Sequence, residues 1–337
     1  MQIRARTETL PLAHTFAISR RSSDAAEVIR VEVEHDGLIG HGEAAPIYYK
    51  DEEPAGAVEF LLEEAQPLIG DESPFDLERI SARLADVDGQ MAAKAAVDGA
   101  LHDWVGKRLG VPVWQLLGLT PDAPPTSYTI GIASIEETRE RTRAAAAFTR
   151  LKLKVGAPKD LERLRAVRAE TDVPLRVDAN EGWTLDTARE LVPELVALGV
   201  ELLEQPFPAG DEDSLAALAV LHPRPAIVLD ESCHDLRDVA PAARHADGIN
   251  IKLAKAGGLR EAVRMIHAAR ALGLRIMLGC MVESQLAVAP AAHIASLVDW
   301  VDLDGHLLLA EQPFEGLELV DGRVLPADAP GLGVRAA

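Results

Sequence analysis

The feature that most constrains the fold is a regular series of short apolar segments, each ending in a polar or charged residue. Asp178, Glu204 and Asp230 follow one another at intervals of 26 residues, and amphipathic helical patterns separate the segments. Alternating strands and helices predict a parallel sheet. The segments are YTIGIA (128–133), RLKLKV (150–155), PLRVDA (174–179), VELLEQ (200–205), AIVLDE (226–231), GINIKLA (248–254), RIMLGC (275–280) and VDLDG (301–305). Eight such units predict an α/β fold of the closed TIM-barrel type.

The first 120 residues have a different pattern. Residues 1–50 alternate apolar and polar positions with Gly-containing turns, which predicts antiparallel strands. Residues 54–110 repeat apolar positions at helical spacing and end at Gly110, a typical helix C-cap. We therefore expect a small α+β domain in front of the barrel.

Composition excludes several classes of function. The net charge is −20, which disfavours nucleic acid and acidic membrane surfaces as partners. Two cysteines form no disulfide framework, and no apolar run is long enough to cross a bilayer. No apolar segment typical of a signal peptide follows Arg4 and Arg6, so the expected location is the cytoplasm.

Three carboxylates are candidate metal ligands. Asp178, Glu204 and Asp230 end three successive strands, and the carboxyl ends of barrel strands meet at one mouth. Carboxylates that face one cavity repel each other unless a cation lies between them. Oxygen ligands favour Mg²⁺, and no histidine has the spacing of a zinc ligand. Asn180 and Glu231 are expected to orient these ligands and the nearby lysines.

Three lysines are candidate acid/base residues. Lys152 and Lys154 share one side of a strand, and Lys252 ends a strand across the predicted barrel. Two neighbouring ammonium groups are expected to lower each other's pKa, which makes a lysine a usable base. Bases on opposite faces of one carbon are what a racemase or epimerase needs.

Together these groups suit proton removal next to a carboxylate. The product of that step is a dianionic ene-diolate, which Mg²⁺ and ammonium groups stabilise. A Schiff-base aldolase could use the lysines alone, but imine chemistry needs no metal. A binding protein that retains the residues without activity is a further alternative.

The motifs that carry these residues resemble the enolase superfamily, muconate-lactonising subgroup. They are KLKVG with Lys152 and Lys154, RVDANEGW with Asp178, LLEQPFP with Glu204, VLDES with Asp230 and NIKLAKAGG with Lys252, and AAVDGALHDWVGKRLGVPVWQLLG (95–118) is similar to the family's linker segment. The resemblance implies an α+β capping domain at 1–118, a modified barrel at 119–311 and a tail at 312–337 that packs on the cap.

The last strand favours one activity within the family. Asp302 and Asp304 resemble the Asp-x-Asp pair that binds the substrate α-ammonium group in dipeptide epimerases. Carboxylates suit a positive amino terminus, which predicts a small dipeptide as substrate. N-succinylamino acid racemase, o-succinylbenzoate synthase and muconate-type cycloisomerase remain alternatives.

The resemblance also implies residues that contact the rest of the substrate. Arg20 and Arg21 lie in a segment similar to the family's cap loop, where an arginine pairs with an acidic side chain in Ala-Glu epimerases. This favours L-Ala-L-Glu-like dipeptides and leaves open which arginine makes the contact. Met281 and Cys280 are similar to the family's pocket wall. Homo-oligomerisation also stays open.

Overall fold

The N-terminal region is an antiparallel sheet followed by helices. The computed structural model describes residues 1–337. Its sheet consists of β1 (Gln2–Ile18), β2 (Arg21–His35) and β3 (Leu38–Ala44), in that order. The helices that follow are α1 (Pro54–Glu59), a π-helical turn (Phe60–Ala65), α2 (Gln66–Ile69), α3 (Leu77–Ala85) and α4 (Met91–Leu109). The turn between β2 and β3 uses Asp36 and Gly37, both at positive φ, as the Asp-Gly pair predicts.

Helix α4 packs directly on strand β3 because two glycines leave room for its backbone. A Cβ at Gly40 would lie 2.0 Å from the carbonyl oxygen of Ala100, and a Cβ at Gly42 would lie 1.9 Å from that of Ala96. Small side chains therefore form the contact, and the apolar residues of β2 complete this core.

A barrel of eight parallel strands follows. In sheet order the strands are β4 (Tyr128–Ile130), β5 (Leu151–Lys154), β6 (Leu175–Asp178), β7 (Val200–Glu204), β8 (Ala226–Leu229), β9 (Gly248–Lys252), β10 (Arg275–Gly279) and β11 (Trp300–Asp302). The ring closes where the backbone amide of Ser127 donates to the carbonyl oxygen of Val301 at 3.2 Å and Thr126 forms a parallel β-bridge with Val301.

Helices surround the barrel and connect consecutive strands. They are α6 (Ile135–Ala144), α7 (Asp160–Arg168), α8 (Leu185–Ala197), α9 (Glu212–Ala219), α10 (Leu236–Ala242), α11 (Leu253–Ala256), α12 (Leu259–Ala271) and α13 (Gln285–Ile294), after the short linker helix α5 (Val113–Leu116). Side-chain caps begin several of them, for example Ser134 in a capping box with Glu137. A 3-10 turn (Gly305–Leu308) follows β11 in place of the helix that would follow the last strand, so the barrel is of a modified type. The predicted fold class is confirmed.

The C-terminal residues contact both parts of the molecule. Strands β12 (Phe314–Glu315) and β15 (Arg335–Ala336) pair with each other, as do β13 (Glu318–Val320) and β14 (Arg323–Leu325). Leu332 donates to Asp103 of α4 at 2.9 Å, and its carbonyl oxygen lies 3.2 Å from Nε2 of His293 in α13. The tail thus touches the N-terminal region and the barrel, and the domain boundaries at 118 and 311 stay a prediction.

The tip of the β1–β2 hairpin reaches the mouth of the barrel. Ser19 donates to the carbonyl oxygen of Asn180 at 2.9 Å, and the amide of Ile132 donates to Ala17 at 2.8 Å. A Cβ on Gly156 or Gly182 would lie within 2.8 Å of the Ser19 Cβ, so the tip fits between two glycines. None of the helices combines the length and apolarity that a membrane crossing requires.

Candidate active site at the barrel mouth

The predicted carboxylates and lysines meet at the carboxyl ends of strands β5 to β9. Lys154 Nζ lies 2.6 Å from Asp178 Oδ2, and Lys252 Nζ lies 2.7 Å from Asp230 Oδ2. Lys152 Nζ lies 2.6 Å from Glu204 Oε2, outside hydrogen-bond geometry, and 3.2 Å from Asp178 Oδ2. Lys154 is half-buried. The other five residues of this group are buried, namely Asp178, Glu204, Asp230, Lys152 and Lys252.

Lys154 and Lys252 stand on opposite sides of the mouth. Lys154 ends β5 and Lys252 ends β9, and these strands are four positions apart in a ring of eight. Strands four apart in such a ring face each other across the barrel axis. Both side chains line the same cavity, together with Lys152 and Asp230. A substrate carbon held between them would present one face to each ammonium group.

The charges in this centre are strongly coupled. Burial and the neighbouring Asp178 raise the pKa of Glu204 to about 7. Burial also acts to raise the pKa of Asp178, but Lys154 and Lys152 outweigh it and lower that pKa to about 2. Asp230 likewise has a pKa below its ordinary value because Lys252 and Lys255 outweigh burial.

One expectation from the sequence is wrong. Lysine crowding was expected to lower the lysine pKa values, but the pKa of Lys152 lies well above its ordinary value. Burial acts to lower it, and Asp302 and Glu204 together outweigh burial. The pKa of Lys252 is raised in the same way by Asp230. The carboxylates decide the direction, with Asp302 and Glu204 at 2.6 Å from Lys152 Nζ and Asp230 at 2.7 Å from Lys252 Nζ.

Asp302 and Asp304 lie on the wall beside Lys152. Asp302 Oδ2 accepts from Lys152 Nζ at 2.6 Å, and its Oδ1 is buried without a hydrogen-bond partner. Asp304 lies just beyond the end of β11 and accepts from the amide of Thr129 at 2.5 Å. Burial and Asp302 raise the pKa of Asp304 to about 7. Both aspartates line the cavity, so the structure brings the predicted pair together at the site.

The two predicted arginines have different environments. Arg20 Nε donates to the Tyr48 hydroxyl at 3.0 Å, and its other nitrogens pair with Glu181 and, at 2.5 Å, with Glu231. Arg21 forms no ion pair, and its guanidinium carbon lies 4.5 Å from the centre of the Tyr48 ring. Both line the cavity, but of the two arginines only Arg20 pairs with residues of the barrel.

The remaining predicted residues also lie at the mouth. Cys280 and Met281 line the cavity, and burial raises the pKa of the Cys280 thiol well above its ordinary value, which argues against a nucleophile. The backbone amide of Asn180 donates to Asp178 Oδ1 at 2.9 Å, and its side chain donates to Glu231 at 3.2 Å.

Two buried polar residues behind the carboxylates were not predicted from the sequence. Asn250 Nδ2 donates to Glu204 Oε1 at 2.7 Å, and Lys255 Nζ pairs with Asp230 Oδ1. Both occur in the NIKLAKAGG motif. Asn250 is two residues before Lys252 on the same side of β9, a spacing that could have revealed it.

Comparison with known proteins agrees with this architecture. Residues 1–118 match the family described as "Mandelate racemase / muconate lactonizing enzyme, N-terminal domain", and residues 134–337 match "Enolase C-terminal domain-like". The chain is 39% identical over 329 residues to an L-Ala-D/L-Glu epimerase of Bacteroides thetaiotaomicron, covering 96% of this chain and 85% of the relative.

Solved structures match over almost the whole chain. The substrate-liganded L-Ala-D/L-Glu epimerase of Bacillus subtilis superposes with a TM-score of 0.95 at 31% identity, covering 100% of this chain and 99% of that one. A dipeptide epimerase of Enterococcus faecalis, complexed with Mg and L-Leu-L-Tyr, gives 0.92 at 32% identity, covering 99% and 98%. This chain therefore belongs to the enolase superfamily, in the group that contains mandelate racemase and muconate-lactonising enzyme.

Proposed function

We propose that this chain is a Mg²⁺-dependent dipeptide epimerase that inverts the α-carbon of the C-terminal residue. The observation that carries the proposal is the placement of Lys154 and Lys252 on opposite strands, with carboxylates between them. The relatives named as dipeptide epimerases, and the Mg and dipeptide in the Enterococcus faecalis structure, support the same activity.

The residues at the mouth fit a bound Mg²⁺. Asp178, Glu204 and Asp230 would hold it with carboxylate oxygens, the donors that a hard cation prefers. In this structure each of the three carboxylates faces a lysine, and no three acidic, histidine or cysteine side chains are grouped as metal ligands. Burial and the nearby Asp178 nevertheless raise the pKa of Glu204 to about 7, and a cation beside this carboxylate would lower it. A bound Mg²⁺ would supply positive charge to the substrate carboxylate as the α-proton leaves.

The lysines would move the proton. In the proposed reaction the carboxylates of Asp178 and Asp230, which now pair with Lys154 and Lys252, would be engaged by the cation instead. One of these two lysines then takes the α-proton as a neutral amine, and the other delivers a proton to the opposite face as an ammonium group. Their assignment to stereoisomers stays open. Lys152, with its raised pKa and its contacts to Asp178, Glu204 and Asp302, would remain a cation and stabilise the negative charge on the substrate.

Asp302 and Asp304 would bind the substrate amino terminus. The unpartnered Oδ1 of Asp302 is a free acceptor at the cavity wall, and an ammonium group satisfies a buried carboxylate oxygen. A positive amino terminus near Asp304 would also lower the raised pKa of that carboxyl group. An N-succinyl group, which is anionic, would be repelled at this position.

An acidic C-terminal residue is the preferred substrate class in this proposal. Arg20 and Arg21 bring two cations to the cavity, and Arg21 has no carboxylate partner. A substrate glutamate side chain would pair with a guanidinium group that is free of other acids more readily than with one already held.

The test is a screen of L,L-dipeptides in D₂O with Mg²⁺. We expect deuterium at the α-carbon of the C-terminal residue of L-Ala-L-Glu, followed by mass spectrometry, together with formation of the L,D isomer. EDTA should abolish both, and Mg²⁺ should restore them. Exchange that is confined to N-succinylamino acids would refute the dipeptide assignment. Activity that persists without metal would refute the metal role.

A further inference from the structure

We infer that Asn250 and Lys255 are positioning residues that hold one oxygen of Glu204 and of Asp230, so that the other oxygen faces the reaction centre. This inference rests on the metal role proposed above for these carboxylates. It concerns two side chains behind the site that line no part of the substrate cavity.

The three carboxylates share one arrangement. Asp178 Oδ1 accepts from the backbone amide of Asn180 at 2.9 Å, and Glu204 Oε1 accepts from Asn250 Nδ2 at 2.7 Å. Asp230 Oδ1 pairs with Lys255 Nζ. In each group the second oxygen is the one that faces the lysines of the mouth: Lys154 and Lys152 at Asp178, Lys152 at Glu204 and Lys252 at Asp230.

Lys255 is fixed by a set of oxygen atoms. Besides Asp230 Oδ1, its ammonium group donates to the carbonyl oxygens of Asp230 at 2.6 Å, Cys233 at 2.9 Å and Asn250 at 3.0 Å. The side chain is fully buried, so these contacts replace water entirely. Lys255 therefore holds both the carboxylate of Asp230 and the turn that follows it.

Asn250 does the same for Glu204 without adding charge. The residue is fully buried, and its amide donates because a carboxylate can only accept. The neighbouring strand leaves space for it, since a Cβ at Gly279 would lie 2.6 Å from Asn250 Oδ1 and 2.9 Å from Nδ2. Gly279 is thus needed to keep the amide against Glu204.

Fixing one oxygen prevents each carboxylate from rotating. A cation that displaces the lysines from the second oxygens then meets three single oxygens at set positions, so the carboxylates themselves need little reorganisation. Partners of this kind behind metal ligands are worth roughly 10- to 100-fold in metal affinity or activity. Asn250 is the better residue to test, because removing it changes no charge.

The experiment measures Mn²⁺ binding to the full chain without substrate, by electron paramagnetic resonance of free Mn²⁺. We expect Asn250→Leu, which has a similar shape and no donor, to raise the Mn²⁺ dissociation constant at least roughly 10-fold. Thr142→Val is the matched control: it loses a buried hydrogen bond, from Thr142 Oγ1 to the Thr138 carbonyl oxygen at 2.7 Å, far from the carboxylates. Its Mn²⁺ affinity should be that of the wild type.

Gly279→Ala provides an independent variant should Asn250→Leu fold poorly. The added methyl group displaces the Asn250 amide, so Mn²⁺ binding should weaken by a comparable factor while Glu204 and Asn250 are both retained. In an Asn250→Ala background the same methyl group has no amide to displace. The double variant Asn250→Ala/Gly279→Ala should therefore bind Mn²⁺ as Asn250→Ala does.

The outcomes separate this inference from the proposed function. Circular dichroism and the unfolding temperature show whether Asn250→Leu and Gly279→Ala are folded. If the wild type binds Mn²⁺ and either folded variant binds it with the same affinity, the inference alone is overturned. Independent, multiplicative losses in the double variant would also overturn it. Absence of saturable Mn²⁺ binding by the wild type would overturn the metal role and this inference together.

Discussion

The barrel mouth and the hairpin tip place charged groups at the same cavity by different means. At the mouth, Lys152 lies within β5, and Asp178 and Glu204 end β6 and β7. All three are buried and pair with side chains from other strands of the barrel. At the tip, Arg20 lies in the turn between β1 and β2 and Arg21 begins β2, and both reach the cavity through long side chains.

This difference separates the two tasks of the proposed enzyme. Strand-end groups are set by the sheet register and suit proton transfer, which tolerates little displacement. Tip groups lie on a loop, where substitutions alter recognition without moving the catalytic residues. We therefore expect substitutions at the mouth to act on turnover, and substitution of the unpaired Arg21 at the tip to act on the choice of substrate.

The largest expected effect is the loss of either opposed lysine. Lys154→Met and Lys252→Met should each lower the rate of epimerisation by about 10³-fold, the usual worth of a general acid or base. Each variant should retain α-proton exchange from one stereoisomer only, measured as deuterium incorporation from D₂O. Lys159→Met, an exposed lysine of the same β5–α7 unit, is the control. Full epimerisation by both variants would disprove the two-base mechanism.

The next effect concerns the amino terminus of the substrate. Asp304→Asn should raise KM for dipeptides with a free amino terminus roughly 10- to 100-fold, because a hydrogen bond to a charged group is lost. The N-acetylated dipeptides, which carry no ammonium group, serve as the control. Asp302→Asn should also lower kcat, because Asp302 holds Lys152. Equal losses for free and acetylated substrates would contradict the assigned role.

A smaller effect should distinguish the two arginines. Arg21→Met should lower kcat/KM for L-Ala-L-Glu about 5-fold relative to L-Ala-L-Leu, as expected for a partly exposed ion pair. Arg20→Met should affect both dipeptides equally, because Arg20 is engaged by Glu181, Glu231 and Tyr48. The reverse result would show that Arg20 gives up those partners to bind the substrate.

The smallest effect lies outside the site and concerns stability. Burial lowers the pKa of His293 to about 4, and the ring accepts from the Trp114 amide at 3.1 Å. Below its unfolded pKa of 6.5 the unfolded chain binds a proton that the folded chain does not, so this contribution to stability is lost as pH falls toward 4. Between pH 7 and 5.5 the loss is about 1 kcal/mol. In His293→Gln, the free energy of unfolding measured with denaturant should fall by about 1 kcal/mol less between pH 7 and 5.5 than in the wild type. The same fall in both proteins would contradict this prediction.

Much of the fold and the centre of the site could be predicted from the sequence. The strand-end positions of Asp178, Lys154 and Lys252 follow from periodicity, because parallel strands bring their carboxyl ends to one edge. The pKa direction of Lys152 could not be predicted, since it depends on distances to carboxylates from three other strands. Nor could the different surroundings of Arg20 and Arg21, which are set by how the hairpin tip meets the barrel.

The glycines that receive Ser19 have a consequence for how such enzymes could diversify. Gly156 and Gly182 enclose Ser19, so part of the anchoring of the hairpin comes from a residue that does not line the cavity. Arg21, which has no ion pair with the barrel, can then be exchanged without changing the position of the hairpin. A new substrate preference can therefore arise by mutation of a few codons for the tip, while the residues that carry out the reaction are inherited unchanged.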